Sequence, residues 1–358
     1  MQAYAPLTLM RDKFDLVDNH QYFCHPTFPE KKWSLPQGSD QGSAIMRNAI
    51  LPRLIMPTRI FGRPFTVTEF NFCNPNVYRA EGGPLIGGYA ALQNWGGLWR
   101  FAWSHSEDGI LKQRIGGNFD GVNDPMQQFG DRIIHALFLR GDLAPATEKI
   151  SVAVPRDPFG ENGSGDYSEE FSRLGLHAQI GSHVEGKPLP AGVKQFKSGM
   201  AVKNESRVKL DRNAGSLTIA SPLTETVTLR EGTLGADKLR VRDASTFMTV
   251  AAISLDRKPL PQSRSILLIH LTNFTTTNIH FGNEGKTLLR SWGKLPILVE
   301  RGTAGIELAV DGPCRIAALA SDGSEAGEVK GEFKDGVLRF TADTCKFPGG
   351  VSAYHLTR

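Results

Sequence analysis

Residues 64–72 read Pro64-Phe65-Thr66-Val67-Thr68-Glu69-Phe70-Asn71-Phe72. The run is β-branched and aromatic, follows the breaker Gly62-Arg63-Pro64, and so predicts a buried strand. Glu69 breaks the apolar pattern near the strand's end. Carboxylates are rarely buried without a partner or a purpose. Either Glu69 pairs with an arginine such as Arg79 or Arg100, or it does chemistry.

The flanking sequence places this strand in a larger pattern. DKFDLVDNHQYF (12–23) reads as a strand with its exit loop, and GLWRFAWSHS (97–106) as a third. Between them, GGPLIGGYAALQNW (82–95) spaces Leu85, Ile86, Tyr89, Ala90 and Leu92 as a helix does. A second helix is expected over Asp124–Leu139, with Asp124 as cap, Pro125 in the first helical position, and Ile133, Ile134, Leu137 and Phe138 on one face. Strand, helix, strand, helix predicts right-handed βαβ units on a parallel sheet. Residues 33–50 read as a long loop on the active face.

Past Asp142 the pattern changes. Short alternating runs such as 207–220, 225–232, 247–256, 265–271, 305–310, 315–320 and 337–342 recur between Gly, Asn and Asp turns. Residues 143–358 are therefore expected to be all-β, in one or two sandwich-type modules. The polar loop FGENGSGDYSEE (159–170) is expected to be mobile.

Composition narrows the function class. The 358 residues hold 41 Lys and Arg against 37 Asp and Glu, a small and scattered excess. A nucleic-acid binder would cluster its basic residues, so none is expected as a partner. No run reaches 18 apolar residues, and no membrane span is expected. Residues 1–10 lack the features of a signal peptide. Cys24, Cys73, Cys314 and Cys345 form no CxxC pair, and whether Cys314 and Cys345 pair is left open.

Parallel α/β sheets collect reactive groups at the C-terminal ends of their strands. Here those ends carry Asp18, Asn19, His20 and Tyr22, then Glu69 and Asn71, then Trp103, Ser104 and His105. Thr68-Glu69-Phe70-Asn71 resembles the seventh-strand motif of clan A retaining glycoside hydrolases, the (β/α)8-barrel superfamily that includes cellulases. His20-Gln21-Tyr22 resembles the sixth-strand His-x-Tyr of its cellulase-like members, and RFAWSHS (100–106) their eighth strand. The motifs follow in order, about 47 and 34 residues apart. The resemblance covers residues 12–142. Residues 143–358 are similar to the β domains appended to such barrels.

The resemblance implies a fold of α/β class: a partial TIM barrel, strands six to eight with their helices, over residues 1–142, followed by the β region. It implies Glu69 as nucleophile, with Tyr22 holding its carboxylate and His20 contacting sugar. Trp103 would stack under the ring. An ionised, fixed carboxylate suits the oxocarbenium-like transition state of glycoside cleavage. Asn71 and His105 are further candidates for substrate binding, and Trp33 is a candidate distal platform. His25 could line the cleft. Glu81 is expected to cap the helix it opens rather than to catalyse. Neither His25 nor His105 has a metal partner at useful spacing, and neither metal nor cofactor is expected.

Retaining hydrolysis needs a second carboxyl group about 5–5.5 Å from the first. The clan A acid/base is a glutamate after an asparagine on the fourth strand. The Asn-Glu pairs here, Asn204-Glu205 and Asn283-Glu284, both follow Glu69. About 140 residues cannot close a barrel of 200–250. The chain is thus expected to be the C-terminal portion of an exported enzyme acting on β-linked poly- or oligosaccharides, inactive by itself. The alternatives are a non-catalytic carbohydrate-binding protein on a truncated barrel, and a β region that serves as a structural or interaction module.

Overall fold

Strands β1 (Val17–Phe23) and β2 (Phe65–Phe72) run parallel, and β3 (Gly97–Arg100) adds to the far edge of β2. The computed structural model describes residues 4–157, 166–202 and 207–358. Val17 stands opposite Phe65 and Tyr22 opposite Asn71, with an irregularity between Asn19 and His20 that sets His20 beside Glu69. Asp18 ties the two strands together, accepting hydrogen bonds from the Thr66 hydroxyl at 2.9 Å and the Thr68 amide at 3.0 Å.

The third strand is shorter than its sequence suggests, because the backbone after Arg100 finds other partners. The amides of Gly121 and Val122 donate to the carbonyls of Ala102 and Trp103, both at 3.0 Å. This return loop replaces the sheet ladder over the strand's predicted second half.

Helix α1 (Gly82–Leu92) is buried along its whole length, as its apolar and glycine-rich sequence allows. It lies against α2 (Pro125–Ile134). A Cβ on Gly83 would come 2.7 Å from the Gly130 carbonyl oxygen, so the crossing requires glycine there. The expected start of α2 is present: Asp124 accepts the Met126 amide at 3.0 Å, and Pro125 follows.

Beyond Asp142 the chain is β-rich but not all-β. Lys149–Val154 pairs in parallel with Gln179–Val184 and Val193–Gln195. A short helix, Glu169–Arg173, lies in the first crossover, as parallel pairing requires a long connection. The sequence reading of 143–358 as sandwich modules is corrected in this stretch. Most of residues 159–170, expected to be mobile, lie outside the described residues, as do Asn204 and Glu205.

Most of the remaining strands form two large antiparallel sheets, one of eight strands and one of five, and the others form two small sheets of two and three strands. Val227, Val250, Ala252, Ile266 and Leu268 of the larger sheet share a core with Val241, Ile306, Leu308 and Phe340 of the smaller. The alternate residues Ala251, Ile253 and Ile269 join the core of the first 142 residues instead. The period of two thus buries the larger sheet on both faces. One buried cluster therefore runs across Asp142, whose carboxylate accepts from Thr224 at 2.6 Å. All four cysteines are free thiols. No helix among the described residues is long and apolar enough to cross a membrane.

Glu81 does not cap its own helix. Its fully buried carboxylate accepts from the Ser43 hydroxyl at 2.6 Å and from the Ala44 and Ile45 amides, clamping the 39–49 segment onto α1. Burial pushes this carboxyl up to about 7. The folded chain therefore keeps a proton that the unfolded chain releases near 4.5, and this stability is lost as pH rises through 7. Buried His270 has the opposite slope. Burial lowers it to about 4, so its contribution is full above 6.5 and lost as pH falls through 4. The two slopes offset one another in the overlapping window. Denaturant unfolding of wild type and a Glu81 variant side by side from pH 4.5 to 6.5 isolates the Glu81 contribution as a difference between the two profiles. Relative to wild type, Glu81→Gln is expected to gain about 3 kcal/mol as pH rises across the same window. Parallel profiles for the two proteins would contradict this assignment.

Candidate active site at the strand ends

A cavity of about 560 Å³ opens where β1, β2 and the loops after β3 meet. Tyr22, His25, Trp33, Glu69, Phe101, His105, Phe119 and Asp120 line it, with Gly117 and Asn118. The walls are mainly aromatic. Phe119 is their hub, with its ring centroid 5.4 Å from Tyr22, 5.5 Å from His25 and 5.8 Å from Phe101.

Glu69 stands at this cavity, about one-third exposed. The Tyr22 hydroxyl donates to its Oε2. Burial, and then the neighbouring Glu69 carboxylate, raise the Tyr22 phenol, so it stays a donor. His20 Nδ1 lies 3.4 Å from the same oxygen, while its Nε2 lies 3.0 Å from Asp18 and 2.9 Å from the Thr68 hydroxyl. Both arginines considered as partners of Glu69 are engaged elsewhere. Arg79 pairs with Asp124, and Arg100 with Asp131 at 2.5 Å.

The other sequence candidates divide. His105 and Trp33 line the cavity, and Trp33 packs its ring 4.9 Å from Phe28. His25 lines it too, with Nδ1 2.9 Å from the Pro26 carbonyl. His20 flanks Glu69 but is not among the lining residues. Trp103 is 58% exposed and lies outside the cavity, because the chain turns after Arg100 and brings Phe101 to the wall instead. Asn71 is fully buried. Its amide donates to the carbonyls of Phe101 at 2.7 Å and Phe119 at 3.0 Å, while Arg100 donates to its oxygen at 3.0 Å. Asn71 thus holds two wall residues in place and presents no group to a ligand.

Comparison with protein-family models, with curated proteins and with solved structures gives no match to this chain.

Sequence reasoning missed Phe119 and Asp120. Asp120 accepts from the His105 amide at 3.1 Å and pairs with the His105 ring at Nδ1. The signal available was the glycine-rich stretch GGNFDG (116–121), whose chain reversals bring a phenylalanine and an aspartate back to the strand ends. Among the described residues, no group of three or more His, Cys, Asp or Glu side chains is arranged to hold a metal ion. Asn283, of the remaining Asn-Glu pair, accepts from Thr287 and Leu288 amides at 2.9 and 3.2 Å in a hairpin turn.

Proposed function

We propose that this chain is the C-terminal portion of a retaining glycoside hydrolase acting on β-linked sugars. The observation that carries this reading is Glu69. It is a carboxylate at the end of a parallel strand, held by the Tyr22 hydroxyl, without an arginine partner, on an aromatic cavity. In this reading β1, β2 and β3 correspond to strands six to eight of a clan A barrel.

Glu69 attacks the anomeric carbon and forms a glycosyl-enzyme as the bond to the leaving oxygen breaks. Tyr22 keeps the attacking carboxylate oriented. The rings of Phe101, Phe119 and Trp33 cover the apolar C–H faces of the sugar and exclude water. The leaving oxygen takes its proton from a glutamate outside this chain, which then activates water.

An activity assay beside calorimetry with an oligosaccharide panel tests the proposal. The purified chain is expected to bind a β-linked oligosaccharide and show no sustained turnover. Sustained hydrolysis of an unactivated oligosaccharide would overturn the assignment of the acid/base to another segment. Absence of any glycan binding would overturn the carbohydrate reading itself.

A further inference from the structure

The cavity contains a second carboxylate for which the proposed reaction gives no role. Asp120 is buried, and its Oδ1 takes two hydrogen bonds from one residue, the amide and the ring Nδ1 of His105. Two bonds to one acceptor fix the imidazole. The ring stays half exposed on the cavity wall and packs against Phe101 at 5.0 Å between centroids. With Nδ1 engaged, Nε2 is the nitrogen left to meet a ligand.

The charge around this wall is one-sided. No lysine or arginine is among the lining residues. Arg79 and Arg100 are bound to Asp124 and Asp131. Arg114 approaches the other Asp120 oxygen, Oδ2, at 4.0 Å. With a neutral imidazole, the Arg114–Asp120–His105 group carries no net charge and does not balance Glu69. His20 is the imidazole beside Glu69, and it is shared with Asp18. An anionic substituent on a bound ring, about 5 Å from an unbalanced carboxylate, would lose roughly a hundredfold in affinity.

Resting on the carbohydrate reading above, we propose that the Glu69 cavity takes an uncharged sugar ring, bonded through a hydroxyl to the His105 that Asp120 fixes, and excludes hexuronates and sulfated rings. Calorimetry on the full chain tests this with methyl β-glycosides of gluco, galacto and manno configuration. The matching methyl uronides and cationic deoxyiminosugars complete the set. For the configuration that binds, the iminosugar is expected to bind tightest and the uronide at least about tenfold more weakly than the glycoside. His105→Ala is expected to weaken the glycoside about tenfold, and Glu69→Gln to narrow the gap to the uronide. A uronide binding as tightly as its glycoside in the wild-type chain would overturn the charge selection and leave the carbohydrate reading intact. No binding by any glycoside or iminosugar would overturn both. The wild-type ligand series decides the matter even where a variant fails to fold.

Discussion

Glu69→Gln is expected to slow the release of dinitrophenol from a dinitrophenyl β-glycoside by about 10⁴-fold. Dinitrophenolate leaves without protonation, so the first half of the reaction needs only the nucleophile and its surroundings. The proposed site within this chain meets that need, with Glu69, Tyr22 and the aromatic wall. Glutamine is isosteric and still accepts the Tyr22 hydroxyl's hydrogen bond. The loss therefore reports on the carboxylate's nucleophilicity rather than on packing. Absorbance of released phenolate under single-turnover conditions checks it. Equal rates for the two proteins would remove Glu69 from the chemistry.

The largest stability effect is expected at a buried ion pair outside the cavity lining. Arg79 and Asp124 form an ion pair almost wholly removed from water, and Asp124 also caps α2. Asp124→Ala leaves a buried guanidinium without its carboxylate, a change that costs about 3–5 kcal/mol, and removal of the cap costs about 1 kcal/mol more. Arg79 approaches the Phe274 carbonyl at 3.5 Å, so the pair also lies where the first 142 residues meet the β region. Urea unfolding should show this loss as a lower midpoint. A variant within 1 kcal/mol of wild type in that measurement would contradict the account of the pair.

The parallel strands and both principal helices were legible because their signals are local. The β-branched run at 64–72 lies between clear breakers, and Asp124-Pro125 marks a helix start without ambiguity. The end of β3 was not legible, because RFAWSH keeps a strand's alternation while its backbone pairs with residues 119–122 instead. The small parallel sheet was missed for a related reason. KISVAV (149–154) looks like any strand, and only its partners make it parallel. In the site, Tyr22 and Glu69 could be placed together from strand order. Asp120 reaches the cavity through a loop, and no periodicity announces which loop residue returns to the strand ends. Trp103 and Asn71 show the converse. Both residue types suit sugar binding, but the backbone turns one outward and buries the other.

The central claim is that Glu69 forms a covalent bond to the sugar, and the mass of the intact chain tests it most directly. Incubated with a dinitrophenyl β-glycoside of the configuration that binds, the chain is expected to release one equivalent of dinitrophenol and stall, because the proposed reaction assigns the base of the second step to a glutamate outside it. Its mass should rise by one glycosyl unit, and digestion should place that unit as an ester on Glu69. A chain that releases the phenol without gaining mass, or that carries the sugar on any other residue, would contradict the account.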